Sequence, residues 1–250
     1  MAHALKSLLK RSIPDTSLVR LRALDYRLHA ANEYRLLETL CDRSKCSIDV
    51  GANVGVLTYL LTKRSAHTYA YEPNPELATK LRRSFKSSVT VVEAALSDAP
   101  GSTVLKVPSY DGVEMHGLAS IAQTFKDADG VREFTVPVRR LDDEQLTNVG
   151  FVKIDVEQNE EKVLRGGMQL FAREMPNILL EVCPKLYSKP LVEFLADVLA
   201  LGYRGYFLFD RKLLKLEDYR MDRHNDGANY GVADKYVTNV VLSTRALAAA

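Results

Sequence analysis

Cys46-Ser47-Ile48-Asp49-Val50-Gly51-Ala52-Asn53-Val54-Gly55 is the stretch on which the fold turns. Cys46 to Val50 is a short apolar run of strand length, Gly51 and Gly55 mark a turn, and Val56 to Lys63 resumes helical spacing. Outward from this strand, turn and helix, His67 to Tyr71 reads as a second strand ending at Glu72-Pro73. Pro75 to Phe85 reads as a second helix and Val89 to Val92 as a third strand. The βαβαβ order predicts a parallel sheet with helices on both faces. The alternation returns with Phe151 to Val156 as strand, Glu160 to Leu170 as helix, Asn177 to Val182 as strand and Leu191 to Leu201 as helix. Two last strands are expected near Tyr206 to Phe209 and Tyr236 to Leu242.

Between Gly101 and Leu141 the pattern is less regular. Ser102 to Val107 and Glu133 to Arg140 read as paired strands around a mostly polar stretch, and an insertion over the functional edge of the sheet is expected. Upstream, Leu21, Leu24, Leu28, Leu36, Leu37 and Leu40 recur among charged residues, predicting one or two amphipathic helices. Residues 1–45 are therefore read as an N-terminal helical extension and 46–250 as the main domain.

The chain has 250 residues, 46% hydrophobic and 26% charged, which suits one folded core rather than disorder. Its 34 basic and 32 acidic residues leave a formal charge of only +2, too balanced for phosphate-backbone attraction to drive nucleic-acid binding. No apolar run reaches the roughly 18–20 residues of a membrane span, and no apolar core or cleavage site follows the basic N-terminus. Cys41, Cys46 and Cys183 form neither a CxxC pair nor a zinc set, and a reducing cytosol suits them.

In an open α/β sheet, ligands sit beyond the carboxyl ends of the strands. Those ends are acidic here: Asp49, Glu72, Asp155 with Glu157, and Glu181. Gly51 and Gly55 would let a ligand approach bare backbone. Glu72 follows Asp49 at about the 20-residue offset at which a carboxylate reaches a ribose hydroxyl pair. A dinucleotide needs GxGxxG, whose glycines admit a pyrophosphate, and the turn instead places Asp49 and Asn53 at two of those positions. S-adenosyl-L-methionine has no phosphate and a cationic amine that Asp49 would favour.

The ordered blocks DVGANVGVLTYLL, YAYEPNPELATKL, AALSDAPGSTVL, VPVRRLDD, FVKIDVEQNEEKVLRGG and ILLEV, spanning about Ile48 to Val182, resemble the FkbM family of S-adenosylmethionine-dependent methyltransferases. The resemblance implies a class I methyltransferase (Rossmann-like) fold, a mostly parallel seven-stranded sheet whose last strand is antiparallel. It also implies O-methylation of a sugar, glycan, glycolipid or related natural product. Asp49, Gly51, Asn53 and Gly55 would line the methionyl end of the cofactor, Glu72 the ribose, and Ala95 and Leu96 the adenine. The family usually reads KIDVEGAE. Here Gln158 and Asn159 replace the small pair, a change expected to alter the acceptor pocket more than cofactor binding.

Methyl transfer to a hydroxyl needs alignment and a proton acceptor. Lys153, Asp155 and Glu157 share one side if the strand continues that far, and the two carboxylates are the expected bases. Glu181 and His116, the latter within the insertion, are the other candidates. Tyr203, Tyr206, Tyr219, Tyr230 and Tyr236 would make a sugar-stacking wall or a scatter of packed rings. No metal site is expected. The competing readings are an NAD(P)-dependent oxidoreductase and a non-catalytic nucleoside-binding or scaffold protein.

Overall fold

The computed structural model describes residues 15–29, 31–230, 232 and 234–247. The expectations for residues 1–14 lie outside these. Two helices, α1 (Asp15–His29) and α2 (Ala31–Leu40), precede β1 (Cys46–Val50), α3 (Val56–Leu61), β2 (His67–Tyr71), α4 (Pro75–Phe85) and β3 (Val89–Val92). An arm follows, built from β4 (Ala95–Leu96), β5 (Gly101–Tyr110), β6 (Val113–Glu114) and β7 (Gly130–Arg139). The chain returns to the main sheet through β8 (Val149–Ile154), α5 (Glu160–Arg165), α6 (Met168–Glu174), β9 (Asn177–Glu181), α7 (Leu191–Phe194) and α8 (Ala196–Ala200). It ends with β10 (Arg204–Phe209), β11 (Lys212–Lys215) and β12 (Asn239–Ser243).

Local chemistry starts and stops these elements. Asn74 caps α4 by accepting from the amides of Glu76 and Leu77, Pro75 takes the first turn, and Leu77, Ala78, Leu81 and Phe85 form its buried stripe. β8 is buried at all six positions, as a central parallel strand covered on both faces must be.

The main sheet has eight strands in the order β11-β10-β12-β9-β8-β1-β2-β3. From β9 to β3 every pairing is parallel, and β12 runs antiparallel to both β9 and β10. The eighth strand, one more than expected, comes from a hairpin. Asp210 and Arg211 both take positive φ and return the chain so that Phe209 pairs with Lys212.

Successive residues of the central strands serve opposite faces. Val152, Ile178, Leu180 and Val240 belong to one buried cluster, whereas Phe151, Leu179 and Val241 belong to another with Leu37 and Leu40 of α2 and Leu60 and Leu61 of α3. The N-terminal helices thus help to cover one face of the sheet. The arm forms its own four-stranded sheet, β4-β7-β5-β6, around Ala95, Leu105, Val107, Val136 and Val138.

Two expected elements end early. The strand predicted to Val156 stops at Ile154, and the helix predicted over Glu160 to Leu170 breaks at Gly166-Gly167. A Cβ on Gly166 would lie 2.1 Å from the Ser97 carbonyl oxygen, so the loop after β4 packs directly on this break.

Candidate active site

At the carboxyl end of β1 the chain turns through Gly51 (φ 78), Asn53 (φ 50) and Gly55 (φ 85). The amides of Gly51 and Ala52 both donate to the Tyr71 carbonyl, at 3.0 and 3.1 Å, which ties the turn to the end of β2. A Cβ at Gly51 would sit 1.8 Å from the Asp155 carbonyl oxygen. The glycine is therefore required by the backbone of the neighbouring strand end, although it also lines the cleft. Gly55 does not line the cleft, because its Cβ would strike Leu81 and Phe85 of α4; its absent side chain serves helix packing.

Glu72 continues β2 and is 5% exposed. Its two carboxylate oxygens accept the Asn53 amide at 2.7 Å and the Asn74 amide at 2.9 Å. Burial outweighs these bonds and pushes its pKa up to about 7.

Asp49 lies elsewhere than the sequence reading put it. It is fully buried beneath the turn, its carboxylate taking a 2.6 Å hydrogen bond from Thr58 of α3, and it does not line the cleft. Strand alternation explains this: Ile48 and Val50 join one buried cluster, so Asp49 faces α3 on the other side. Lys153 is its register partner on β8, with Nζ 3.7 Å from Asp49, 3.0 Å from Asp155 and 3.2 Å from the Gly51 carbonyl. Burial pulls the Lys153 pKa down, but the charges of Asp155, Asp49 and Glu181 outweigh it and leave the ammonium firmly protonated.

Lys153, Asp155 and Glu157 do not share a strand face, since β8 ends before Asp155. A turn brings both carboxylates to the cleft instead, with Glu157 (φ 54) and Gln158 (φ 76) in the left-handed region. Glu160 holds this turn, its buried carboxylate accepting the amides of Val156 and Gln158, at 3.1 and 3.2 Å, and the Tyr187 hydroxyl. The arm holds it from the other side: Ser120 donates to the Glu157 carbonyl at 2.5 Å and Gln123 to its carboxylate at 3.4 Å. Burial, then the nearby charges of Asp155 and Glu160, push the Glu157 pKa up to about 7.

Ala95 and Leu96 form the buried wall of the cleft. The Leu96 carbonyl accepts a 2.9 Å hydrogen bond from Asn159 Nδ2. The replaced pair of the IDVEQNE block thus reaches toward the wall expected to hold adenine. From the arm, His116, Gly117, Ala119 and Ile121 close the opposite wall, and His116 Nδ1 lies 3.4 Å from Asn74 Nδ2.

Glu181 is exposed at the end of β9 and does not line the cleft. Of the tyrosines, Tyr71 lines the cleft, whereas Tyr203, Tyr206, Tyr219, Tyr230 and Tyr236 do not, so the expected wall does not border it. Glu76, Glu114 and His116 bring potential ligand atoms within 4.8 Å of one another, but Arg132 already pairs with both carboxylates. Asn159, expected to alter the acceptor pocket, instead bonds the Leu96 carbonyl, and Ser120 and Gln123 carry no local signal because both bond to Glu157, more than 30 residues away.

Fold and cleft together give a Rossmann-like scaffold with a cleft at the carboxyl edge of the sheet. The methyltransferase FkbM domain matches residues 49–211, and the chain belongs to the FkbM methyltransferase family. Among solved structures it is similar to methyltransferase FkbM from Methylobacillus flagellatus KT, at 15% identity and a TM-score of 0.52, over 93% of this chain and 59% of that one. The chain therefore spans about three fifths of that relative's length. It is also similar to an rRNA methylase from Streptococcus thermophilus, at 9% identity and a TM-score of 0.46, covering 86% of this chain and 95% of that one. A TehB-like SAM-dependent methyltransferase from Corynebacterium glutamicum matches at 11% identity and a TM-score of 0.44, over 92% of this chain and 99% of the other. At 15% identity the likeness to the Methylobacillus structure is one of fold, the class I methyltransferase fold. No curated protein matches the sequence.

Proposed function

We propose that this protein transfers a methyl group from S-adenosyl-L-methionine to a hydroxyl of a sugar, glycan, glycolipid or related natural product. The observation that carries the cofactor is the charge of the cleft. Glu72, Asp155 and Glu157 line it and no lysine or arginine does among the described residues. Such a lining repels a pyrophosphate and favours a cationic ligand without phosphate.

The residues present fit that ligand. Glu72 is a buried carboxylate with one amide donor on each oxygen, and a ribose diol would add the donors that favour its ionised form. Asn53 and Gly51 would border the methionyl part and Ala95 and Leu96 the adenine. When bound, the sulfonium supplies an electrophilic methyl for in-line displacement.

Glu157 is the proton acceptor in this reading. Its pKa of about 7 suits a base that must be ionised near neutrality yet able to take a proton from a hydroxyl losing electrons. Asp155, paired with Lys153, positions the strand end. His116 on the arm borders the acceptor. The main domain is 46–250, with 1–45 as a helical extension. The acceptor is a small molecule or glycan rather than nucleic acid, and the reaction sits in a reducing cytosol where Cys41, Cys46 and Cys183 stay free. No helix of the described residues is long and apolar enough to cross a membrane.

Calorimetry with S-adenosylhomocysteine and NADH tests the cofactor, and incubation with methyl-labelled S-adenosylmethionine and fractionated host metabolites tests the acceptor. Binding of S-adenosylhomocysteine and a labelled methyl ether are expected. NADH binding alone, or an N-methyl product, would overturn the corresponding half.

A further inference from the structure

A second concavity lies at the opposite edge of the sheet. It is a groove of about 380 Å³ between α1, α2 and α3, floored by the segments that lead into β1 and out of α3. Arg20, Arg43, Lys63 and Arg64 line it, against the single carboxylate of Glu38. That carboxylate already pairs with Arg64. Among the described residues no ion pair engages Arg20, Arg43 or Lys63.

Arg64 is built into the floor. It is 5% exposed, its Nη1 donates to the Leu60 carbonyl at 2.9 Å, and its guanidinium lies 4.5 Å over the ring of Tyr34. Its Nε is buried with no hydrogen-bond partner. Buried donors rarely go without an acceptor, which marks this as a position where an acceptor belongs. Lys63 sits 5.3 Å over the ring of Tyr59, so the groove also has two aromatic walls. Leu24, 54% exposed, stands at its rim.

We propose that this groove binds a phosphate-bearing ligand. The three exposed cations would contact the phosphate oxygens, Arg64 would fix the floor, and the tyrosines and Leu24 would take the less polar remainder. The groove's charge is the reverse of the cleft's, so the two sites select different ligands, and this inference stands independently of the cofactor reading. The phosphate belongs either to a soluble phosphorylated compound or to a lipid headgroup.

The test uses inorganic pyrophosphate in calorimetry at low ionic strength, and co-sedimentation with phosphatidylcholine vesicles with and without phosphatidate. Both are run on the full chain and on the Arg43→Gln/Lys63→Gln double variant. Both substituted residues are exposed, and unchanged melting of the variant shows that its fold is retained. Pyrophosphate affinity is expected to fall about tenfold or more in the variant, as loss of charge-assisted hydrogen bonds implies. Phosphatidate-dependent co-sedimentation that the variant loses assigns the phosphate to a headgroup, and its absence assigns it to a soluble compound. No pyrophosphate binding, or equal binding by both proteins, overturns the proposal.

Discussion

Asn53 and Glu72, residues of two different strand-end turns, are joined by a 2.7 Å hydrogen bond from the Asn53 amide to the Glu72 carboxylate. The bond holds the carboxylate at the mouth of the glycine turn and fixes the distance between the two loops that line the cleft. With the Asn74 amide on its other oxygen, Glu72 is oriented before any ligand arrives.

Replacing Glu72 by Ala is expected to weaken S-adenosylhomocysteine binding by about 1.5–3 kcal/mol, the scale of hydrogen bonds to a charged group. Calorimetry at neutral pH measures this, and an unchanged affinity would remove Glu72 from the ligand site.

The raised pKa of Glu72 gives stability and binding opposite pH trends. Its folded pKa of about 7 exceeds the ordinary value of 4.5, so its contribution to stability is greatest below 4.5 and is lost as pH rises through about 7. Ligand hydroxyls prefer the ionised carboxylate, so affinity rises over the same interval. Thermal melts and calorimetry across that range should show the two curves crossing, and Glu72→Gln should flatten both.

Glu157→Gln is expected to lower kcat by roughly 10²–10⁴-fold with little change in cofactor affinity. The kcat profile of the unaltered protein should carry an acid limb near 7, where burial and the neighbouring carboxylates place the Glu157 proton, which the variant lacks. A loss confined to Asp155→Asn would transfer the role to that residue.

Gln158 adopts φ 76, where a side chain is strained and a glycine is not. Gln158→Gly should therefore raise stability by up to about 1 kcal/mol, the left-handed penalty less the entropy of the freer unfolded chain. Denaturant titration decides it, and destabilisation would show that the glutamine side chain holds the turn.

Asn159→Ala removes the donor from the buried Leu96 carbonyl and should cost about 1–3 kcal/mol. If Leu96 borders the adenine, the loss falls on the KM for S-adenosylmethionine and not on kcat. Steady-state kinetics with the cofactor varied separates the two.

Much of this molecule is written locally in its sequence. The strand–turn–helix at Cys46 to Lys63, the acids at strand ends and the leucine stripes of the N-terminal helices are short-range patterns, each set by a period of two or 3.6 residues or by a glycine that tolerates positive φ. They determined the parallel architecture and brought Gly51, Asn53, Glu72, Ala95, Leu96, Asp155 and Glu157 to one cleft. The Asp210-Arg211 hairpin escaped because neither residue is the glycine or asparagine that usually signals such a turn.

What tertiary structure alone decided is which way each chemical group faces and what it touches. Asp49 has the residue type and spacing of a ligand contact, yet packing against α3 buries it under Thr58 and Lys153. Gly55 has the look of a ligand-approach glycine, yet Leu81 and Phe85 of α4 occupy its space. Asn159 and Leu96 are separated by 63 positions and meet only because β4 and the turn after β8 converge. The basic groove gathers one cation from α1 and three from the segments before β1 and after α3. Sequence periodicity reports burial along one element. Hydrogen bonds, ion pairs and raised pKa values depend on atoms supplied by other elements, and only the folded chain brings those atoms within reach.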